Sequence, residues 1–315
     1  TMMTGMPAYR HGLVGNDTDC LPMKDRATLA LQLTRHGYQT RAEGKLHFHP
    51  MGATYGIEHA DLPMDYFNEM RKQGKVSCRA HGLGENEMEP VVNSVDESDS
   101  LTHWTVEKSV DFLENRDPTH PFFLWTSFTK PHPPLDPCVN YWELYKDAPL
   151  SPPVMGDWSK DWQDAPLGFY KPTFQLNNIW RMSDYQKQQV KRAYYACITQ
   201  IDYNLGILFA RMRELDLLEN TWIIFTSDHG EMLGDHNMGA KNVFLEGSAH
   251  IPFIIKPPAA FGGSHPEYAG LRCDKLMSLA DLMPTILSIC GVPVPETVEG
   301  RNLLEYLHSP EEQTF

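Results

Sequence analysis

The sequence contains the run Thr221-Trp-Ile-Ile-Phe-Thr-Ser-Asp-His-Gly-Glu-Met-Leu-Gly-Asp-His236. Its first part, residues 222–226, is apolar and β-branched, which predicts a buried strand. A polar cluster follows at the carboxyl end of that strand, where open α/β sheets bind their ligands. Asp228 offers a carboxylate oxygen and His229 an imidazole nitrogen, and Gly230 permits a bend that turns both toward one metal ion.

The loop after this pair carries further groups that bear on its interpretation. An isolated Asp-His pair is more often a helix cap and a surface histidine than a metal site. Here Asp235, His236 and Lys241 follow in the same loop, and a second apolar run at 251–255 comes directly after it. This concentration of charged and metal-binding residues between two predicted strands favours a functional site.

The composition argues against several classes of protein. The 315 residues are 41% hydrophobic and 11% aromatic, enough to bury a large core, and one α/β domain can reach this length. No apolar run approaches the roughly 20 residues that cross a bilayer. A formal net charge of −14 argues against general nucleic-acid binding and requires a local positive pocket for any anionic substrate. The 6 cysteines are scattered, which favours buried thiols over a zinc site.

Helix and strand patterns alternate along the chain. Apolar residues recur at helical spacing in 27–36, 104–115, 183–218 and 278–290, and strand-like runs occupy 38–43, 121–128, 222–226 and 251–255. The alternation predicts an α/β fold with a doubly wound, mostly parallel sheet and helices on both faces, in which 121–128 and 222–226 share one sheet. Residues 50–101 and 149–172 show no sustained period and are predicted to be loop-rich insertions.

Two other strand ends carry cations and imidazoles. In an extended segment residues i and i+2 share a face, so Lys45 and His47 are expected to point together. Later in the chain, the run Thr129-Lys-Pro-His-Pro-Pro134 contains prolines that favour an extended, rigid placement of Lys130 and His132. Both pairs suit an anion. A solvated lysine with an incidental histidine, or a stiff connecting loop, explains them equally well from local sequence.

Taken together, these segments resemble the sulfatase family of the alkaline-phosphatase-like superfamily over almost the whole chain. Thr4-Gly5 and Arg10-His11-Gly12 resemble the segment that follows the family's nucleophile motif. Four further motifs match in order, namely Gly44-Lys45-Leu46-His47, Pro131-His132-Pro133, Ser227-Asp228-His229-Gly230, and Lys241 after Gly234-Asp235-His236. Each motif alone is a weak or moderate signal, but four in the right order are specific.

The resemblance implies catalytic roles for four residues. Lys45 and His47 are expected to contact the sulfate and the nucleophile. His132 and Lys241 are expected to bind the sulfate ester. These side chains would neutralise the sulfate and the charge that develops on it, while a geminal diol oxygen of the nucleophile attacks sulfur. The sequence leaves open which histidine is the general acid.

The resemblance also implies a metal site and a substrate surface. Asp228 and His229 are expected to bind a divalent cation, most often Ca²⁺ in this family. Lys130 and His236, which lie beside matched positions, are candidate substrate-binding residues. The expected substrate is a sulfated small molecule or glycan, that is, a carbohydrate or aryl sulfate ester.

One departure from the family pattern is prominent. Family members carry paired Asp ligands near the amino terminus and a Cys-x-Pro-Ser-Arg motif whose Cys or Ser becomes formylglycine, and neither is found here. Alignment on Thr4-Gly5 places that motif upstream of Thr1. Cys20-Leu-Pro-Met-Lys24 mimics its spacing but has Lys for Arg and Met for Ser, so we reject Cys20 as the nucleophile. We therefore expect 1–315 to be one catalytic domain, incomplete at both ends and inactive as it stands.

Two other functions stay open at this point. A phosphodiesterase or phosphonate monoester hydrolase of the same superfamily needs the same cations and suits Mn²⁺ or Zn²⁺. A non-catalytic protein that binds anions or glycans is the third reading. For the full-length sulfatase, the resemblance implies maturation by the formylglycine-generating enzyme and a periplasmic or secreted location, although the sequence itself leaves the location unknown.

Overall fold

The computed structural model describes residues 1–15, 26–159 and 177–308. In these ranges the strands are β1 (Gln39–Gly44), β2 (His59–Asp61), β3 (Phe122–Ser127), β4 (Ile223–Thr226) and β5 (Phe253–Lys256). The α-helices are α1 (Ala8–His11), α2 (Leu29–Arg35), α3 (Pro63–Lys72), α4 (Leu101–Asn115), α5 (Val139–Leu144), α6 (Asp184–Glu214), α7 (Glu246–Ala249), α8 (Ala259–Ser264), α9 (Leu282–Ile289) and α10 (Glu305–His308). Cys20, the rejected nucleophile, lies outside the described residues.

The chain divides into two compact units. One comprises Thr1–Leu62, Lys108–Ser127 and Pro258–Phe315, and the other comprises Pro63–Glu107 and Phe128–Pro257. We call them the first and the second unit. The two catalytic candidates near the amino terminus belong to the first unit, and all the other predicted site residues belong to the second.

The first unit is built on a parallel three-stranded sheet in the order β2-β1-β3. Thr28 begins α2 because its side chain accepts a hydrogen bond from the backbone N–H of Leu31. Gly37, at φ 84°, takes the left-handed conformation that ends the helix, and β1 starts directly afterwards. The predicted elements at 27–36, 38–43 and 121–128 are thus confirmed to within two residues.

Helices cover both faces of this sheet, as predicted. Paired residues of adjacent strands point to the same face, so Ala42 and Trp125 lie on one face and Glu43 and Thr126 on the other. On the first face Ala42 joins a core with residues of α2 and α9, namely Leu29, Leu33, Met283 and Leu287. On the second face Ser109 of α4 hydrogen-bonds to Thr126, with 2.9 Å between their hydroxyl oxygens. The doubly wound arrangement is therefore present in the first unit.

The second unit contains α6, a helix of 31 residues that the sequence predicted at 183–218. Ser183 starts it with a capping box, in which the Ser183 hydroxyl accepts from the Gln186 N–H and the Gln186 side chain bonds back to the Ser183 N–H. Its apolar residues Val190, Cys197 and Ile201 are buried, as the helical spacing implied. The chain then enters β4, which pairs antiparallel with β5.

The strand pairing corrects the prediction in two respects. Among the described residues, β3 pairs with β1 and β4 pairs with β5, so 121–128 and 222–226 lie in different sheets rather than in one. Nor is β4 a fully buried strand, because Phe225 is 41% exposed and its cross-strand partner Ile254 is 61% exposed. Apolar composition identified the strand, but the partner is set by the loop between β4 and β5, which returns the chain antiparallel.

The two segments predicted to be insertions differ in how far they can be described. Residues 50–101 hold β2 and α3 among loops and build a small core around the buried Tyr66, whose hydroxyl donates to the Asp99 carbonyl at 2.7 Å. Of 149–172, only the part up to residue 159 is described. Their status as insertions in a single domain stays a prediction. No helix in the described ranges combines the length and the apolar character needed to span a membrane.

Candidate functional site

The centre of the candidate site is a contact between His132 and Lys241, which are 109 residues apart in sequence. His132 lies in the proline-rich loop after β3, and Lys241 follows a 3-10 helix at Asp235–Asn237. The Lys241 ammonium donates to His132 Nε2 across 2.8 Å. His132 Nδ1 lies 2.9 Å from the carbonyl oxygen of Pro133, so Nδ1 carries the hydrogen and Nε2 presents its lone pair to Lys241.

Asp228 and His229 adjoin this pair at the carboxyl end of β4. The rings of His229 and His132 pack edge to face with 6.2 Å between their centroids. His229 Nδ1 donates to the Gly230 carbonyl at 2.8 Å, which leaves Nε2 as the nitrogen able to bind a metal. Asp228 Oδ2 lies 3.5 Å from that nitrogen. Three of the matched motifs therefore meet in the second unit.

Gly230 holds this segment in place, though for a different reason from the predicted one. Its backbone does not adopt the positive φ that only glycine takes easily. Instead, an added Cβ would lie 2.2 Å from the Gly247 carbonyl oxygen, and the Gly230 N–H donates to the Ser248 carbonyl at 2.8 Å. Gly230 is needed because another stretch of backbone packs directly against it.

Glu231 is a residue of the site that the sequence analysis did not single out. It is buried, and burial raises the pKa of its carboxyl to about 7, against the opposing effects of the Ala240 N–H and the Lys241 charge. The carboxylate also accepts from the Met232 N–H at 3.1 Å. The sequence did contain a signal for this burial, because Glu231 stands between Gly230 and the apolar residues Met232 and Leu233. Glu231 places a carboxyl group close to Lys241.

The metal-binding capacity of these residues is partial. Two ligands on one ion at 2.0–2.5 Å are typically about 3 Å apart, so the separation of Asp228 and His229 is compatible with a shared cation. However, no group of three or more His, Cys, Asp or Glu residues arranged for a metal is found among the described residues. Ca²⁺ usually takes 6–8 oxygen ligands. The described residues do not complete such a site.

Lys45 and His47 belong to the first unit. The Lys45 N–H continues the ladder between β1 and β3 by donating to the Ser127 carbonyl at 3.0 Å. His47 is exposed and has φ 52°, so the chain is no longer extended there. The premise that an extended strand continues through Lys45 and His47 is therefore wrong, because β1 ends at Gly44, whose φ is 96°. That the two side chains point together stays a prediction.

The two predicted substrate-binding residues have well-defined protein partners. Lys130 forms an ion pair with the buried carboxylate of Asp136. His236 stacks on the Trp158 ring with 4.7 Å between centroids, and its Nδ1 lies 3.1 Å from the Ser159 hydroxyl. Both side chains are therefore held by contacts within the protein. Their roles in substrate binding stay predictions.

Comparison with known proteins identifies the family. The family model named Sulfatase matches residues 1–292. An arylsulfatase of Clostridium perfringens is 33% identical, covering 98% of this chain and 67% of that protein, and a choline-sulfatase of Rhizobium meliloti is 30% identical, covering 85% and 53%. The structure of the phosphonate monoester hydrolase SpPMH from Silicibacter pomeroyi matches with a TM-score of 0.77 at 22% identity, covering 100% of this chain and 67% of that one, which shows the fold. The chain belongs to the sulfatase family.

Proposed function

We propose that the protein hydrolyses sulfate esters, with His132 and Lys241 as part of the group that binds and activates the ester. The observation that carries this proposal is the 2.8 Å contact between Lys241 Nζ and His132 Nε2 beside Asp228 and His229. A lysine ammonium supplies positive charge and up to three hydrogen bonds, which suits the oxygens of a sulfate group. Two sulfatases among its relatives support the same activity.

Lys241 and His132, which both belong to the second unit, have different parts in the proposed reaction. Lys241 neutralises negative charge on the sulfate oxygens. His132 is held by its Nδ1–H bond to the Pro133 carbonyl, so its Nε2 faces Lys241 and the ester. To protonate the leaving alcohol, His132 must first take up a proton from solvent at Nε2 and then pass it to the alkoxide oxygen, while Lys241 keeps its own proton and its charge. The catalytic roles of Lys45 and His47, which belong to the first unit, stay predictions.

The finer parts of the proposal rest on the family pattern. Asp228 and His229 would hold a divalent cation, proposed here as Ca²⁺, together with further oxygen ligands. The nucleophile would be a formylglycine, produced by the formylglycine-generating enzyme. The substrate class is a carbohydrate or aryl sulfate ester.

Activity of the protein expressed with its upstream sequence and the formylglycine-generating enzyme tests the proposal. We expect hydrolysis of 4-nitrophenyl sulfate, and a decrease of kcat/KM by roughly 1,000-fold in Lys241→Glu because a charge that stabilises the transition state is reversed. Lys146→Glu is the matched control, since the Lys146 side chain is 63% exposed and lies outside the candidate site. Preferential hydrolysis of a phenyl phosphonate would instead favour the phosphonate hydrolase, and binding of sulfated glycan without turnover would favour the non-catalytic alternative.

A further inference from the structure

The loop that presents His132 contains three prolines, and so it has few backbone N–H groups with which to fix its own shape. The N–H of His132 closes a turn by donating to the Thr129 carbonyl at 3.1 Å. The rest of the loop is closed by a side chain, because Lys130 Nζ donates to the Pro134 carbonyl at 2.5 Å. Lys130 thus ties the start of the loop to its end, on either side of His132.

Asp136 holds the same lysine. Its side chain is only 1% exposed and its Oδ1 accepts from Lys130. Its Oδ2 lies 3.2 Å from His81 Nε2. The N–H of Leu83 donates to His81 Nδ1 at 3.0 Å, so the ring hydrogen is on Nε2 and points at Asp136. Both carboxylate oxygens of Asp136 are therefore occupied by protein donors.

The segment around Asp136 is itself firmly placed. The N–H of Val91 donates to the Leu135 carbonyl at 3.1 Å, and the N–H of Asn93 donates to the Pro137 carbonyl at 2.9 Å. Leu135 is fully buried in a core that includes Val190 of α6. Asp136 therefore sits between two backbone hydrogen bonds and beside a buried side chain, which makes it a fixed point for the loop.

We propose that Lys130 and Asp136 are positioning residues that fix the orientation of the His132 ring toward Lys241, and that Lys130 does not contact the substrate. If a buried cation leaves its carboxylate partner, both charges remain unpaired in a low-dielectric environment, which is strongly unfavourable. Lys130 is therefore retained by Asp136 when an anion arrives. Asp136 neutralises the positive charge of Lys130, and Lys130 still closes the loop around His132 through its bond to the Pro134 carbonyl. Only the expected effect on turnover rests on the proposed sulfatase activity.

Nuclear magnetic resonance of ¹⁵N-histidine-labelled protein tests the orientation of His132 without any substrate. The His132 signals are assigned by their loss in His132→Gln. In the natural protein we expect one tautomer, with the hydrogen on Nδ1. In the double variant Lys130→Met/Asp136→Leu, which removes both charges together and so avoids an unpaired buried ion, we expect averaged signals of two tautomers. Unchanged His132 signals in a folded double variant would overturn the proposal.

Glu97→Gln provides the matched control. Glu97 also accepts side-chain hydrogen bonds in the second unit, from Asn140, Tyr141 and Asn204, and these contacts do not involve the His132 loop. The control should leave the His132 tautomer as it is. If Glu97→Gln shifts the His132 signals as strongly as the double variant does, the effect is one of general loosening and the positioning role is wrong.

Kinetics of the full-length enzyme then separate positioning from substrate contact. We expect the double variant Lys130→Met/Asp136→Leu to lower kcat by roughly 10- to 100-fold through misplacement of His132, with KM changed less than twofold. A large rise in KM with unchanged kcat would show that Lys130 binds the substrate and would overturn the proposal. If the enzyme has no sulfatase activity at all, the proposed function fails while the tautomer measurement still decides the role of Lys130 and Asp136.

Discussion

Replacing Gly230 by alanine tests whether close backbone packing holds the Asp228 and His229 segment. The added methyl carbon would lie 2.2 Å from the Gly247 carbonyl oxygen, whereas ordinary van der Waals contact begins at 3.4 Å. The obstacle is backbone rather than the end of a flexible side chain. One of the two segments must therefore move by about 1 Å, as the difference between those two distances requires.

The cost of that movement can be estimated from two contributions. Overpacking of a tightly packed site costs about 1–3 kcal/mol. The displacement also strains the hydrogen bond from the Gly230 N–H to the Ser248 carbonyl, and a lost buried hydrogen bond costs about 1–3 kcal/mol. We expect Gly230→Ala to lower the free energy of unfolding by about 3 kcal/mol, since the two contributions partly overlap.

Gly206→Ala is the matched control for this experiment. Gly206 lies inside α6, and an added Cβ there meets no atom within 4 Å. Alanine in a helix is more stable than glycine by roughly 0.5–1 kcal/mol, so this variant should gain stability. Urea unfolding followed by circular dichroism measures both variants. If Gly230→Ala is as stable as Gly206→Ala, the close-packing explanation is refuted.

Two further predictions concern charge and metal. Burial raises the pKa of Glu43 to about 7, so the folded state binds a proton that the unfolded state has released above pH 4.5, and stability should fall by up to about 3 kcal/mol as pH rises from 4.5 through 7. Urea unfolding across this range should show a flatter pH dependence in Glu43→Gln, and an unchanged slope would contradict the assignment. Calorimetric titration of Ca²⁺ into this chain should show only weak binding that Asp228→Asn removes, because the described ligands do not complete a calcium site. Tight stoichiometric binding would show that the missing-ligand argument is wrong.

Elements with a strong local signal were predictable from the sequence. The helix at 183–218 was identified from its apolar spacing, and the structure ends it at Glu214 after a start capped by Ser183. The strand at 121–128 was identified from its apolar, β-branched and aromatic residues. These signals are local because a cap, a helical stripe or a pleated run is defined within a few neighbouring residues. Strand pairing is not local, which is why the prediction that 121–128 and 222–226 share one sheet was wrong.

The candidate site was predictable only as a set of motifs. Lys130 and His132 occupy one short loop and looked equivalent in the sequence. In the structure Lys130 is bound to Asp136, six residues further on, whereas His132 meets Lys241, which is 109 residues away. Local sequence contains no information that separates these outcomes, because each depends on which buried group the folded chain brings to the loop. The family pattern singled out His132 and Lys241, and in the structure these two side chains are in contact.

Lys45 and His47 illustrate the same limit at a strand end. Alternation of side chains holds only while the backbone stays extended, and here it stops at Gly44. Lys45 keeps its backbone bond to the Ser127 carbonyl, so its position follows the register of β1 and β3. His47 has left that register and takes φ 52° instead. Its direction is therefore a property of the loop, and a motif of the form Gly-Lys-x-His specifies which residues are present at a strand end without specifying that they point together.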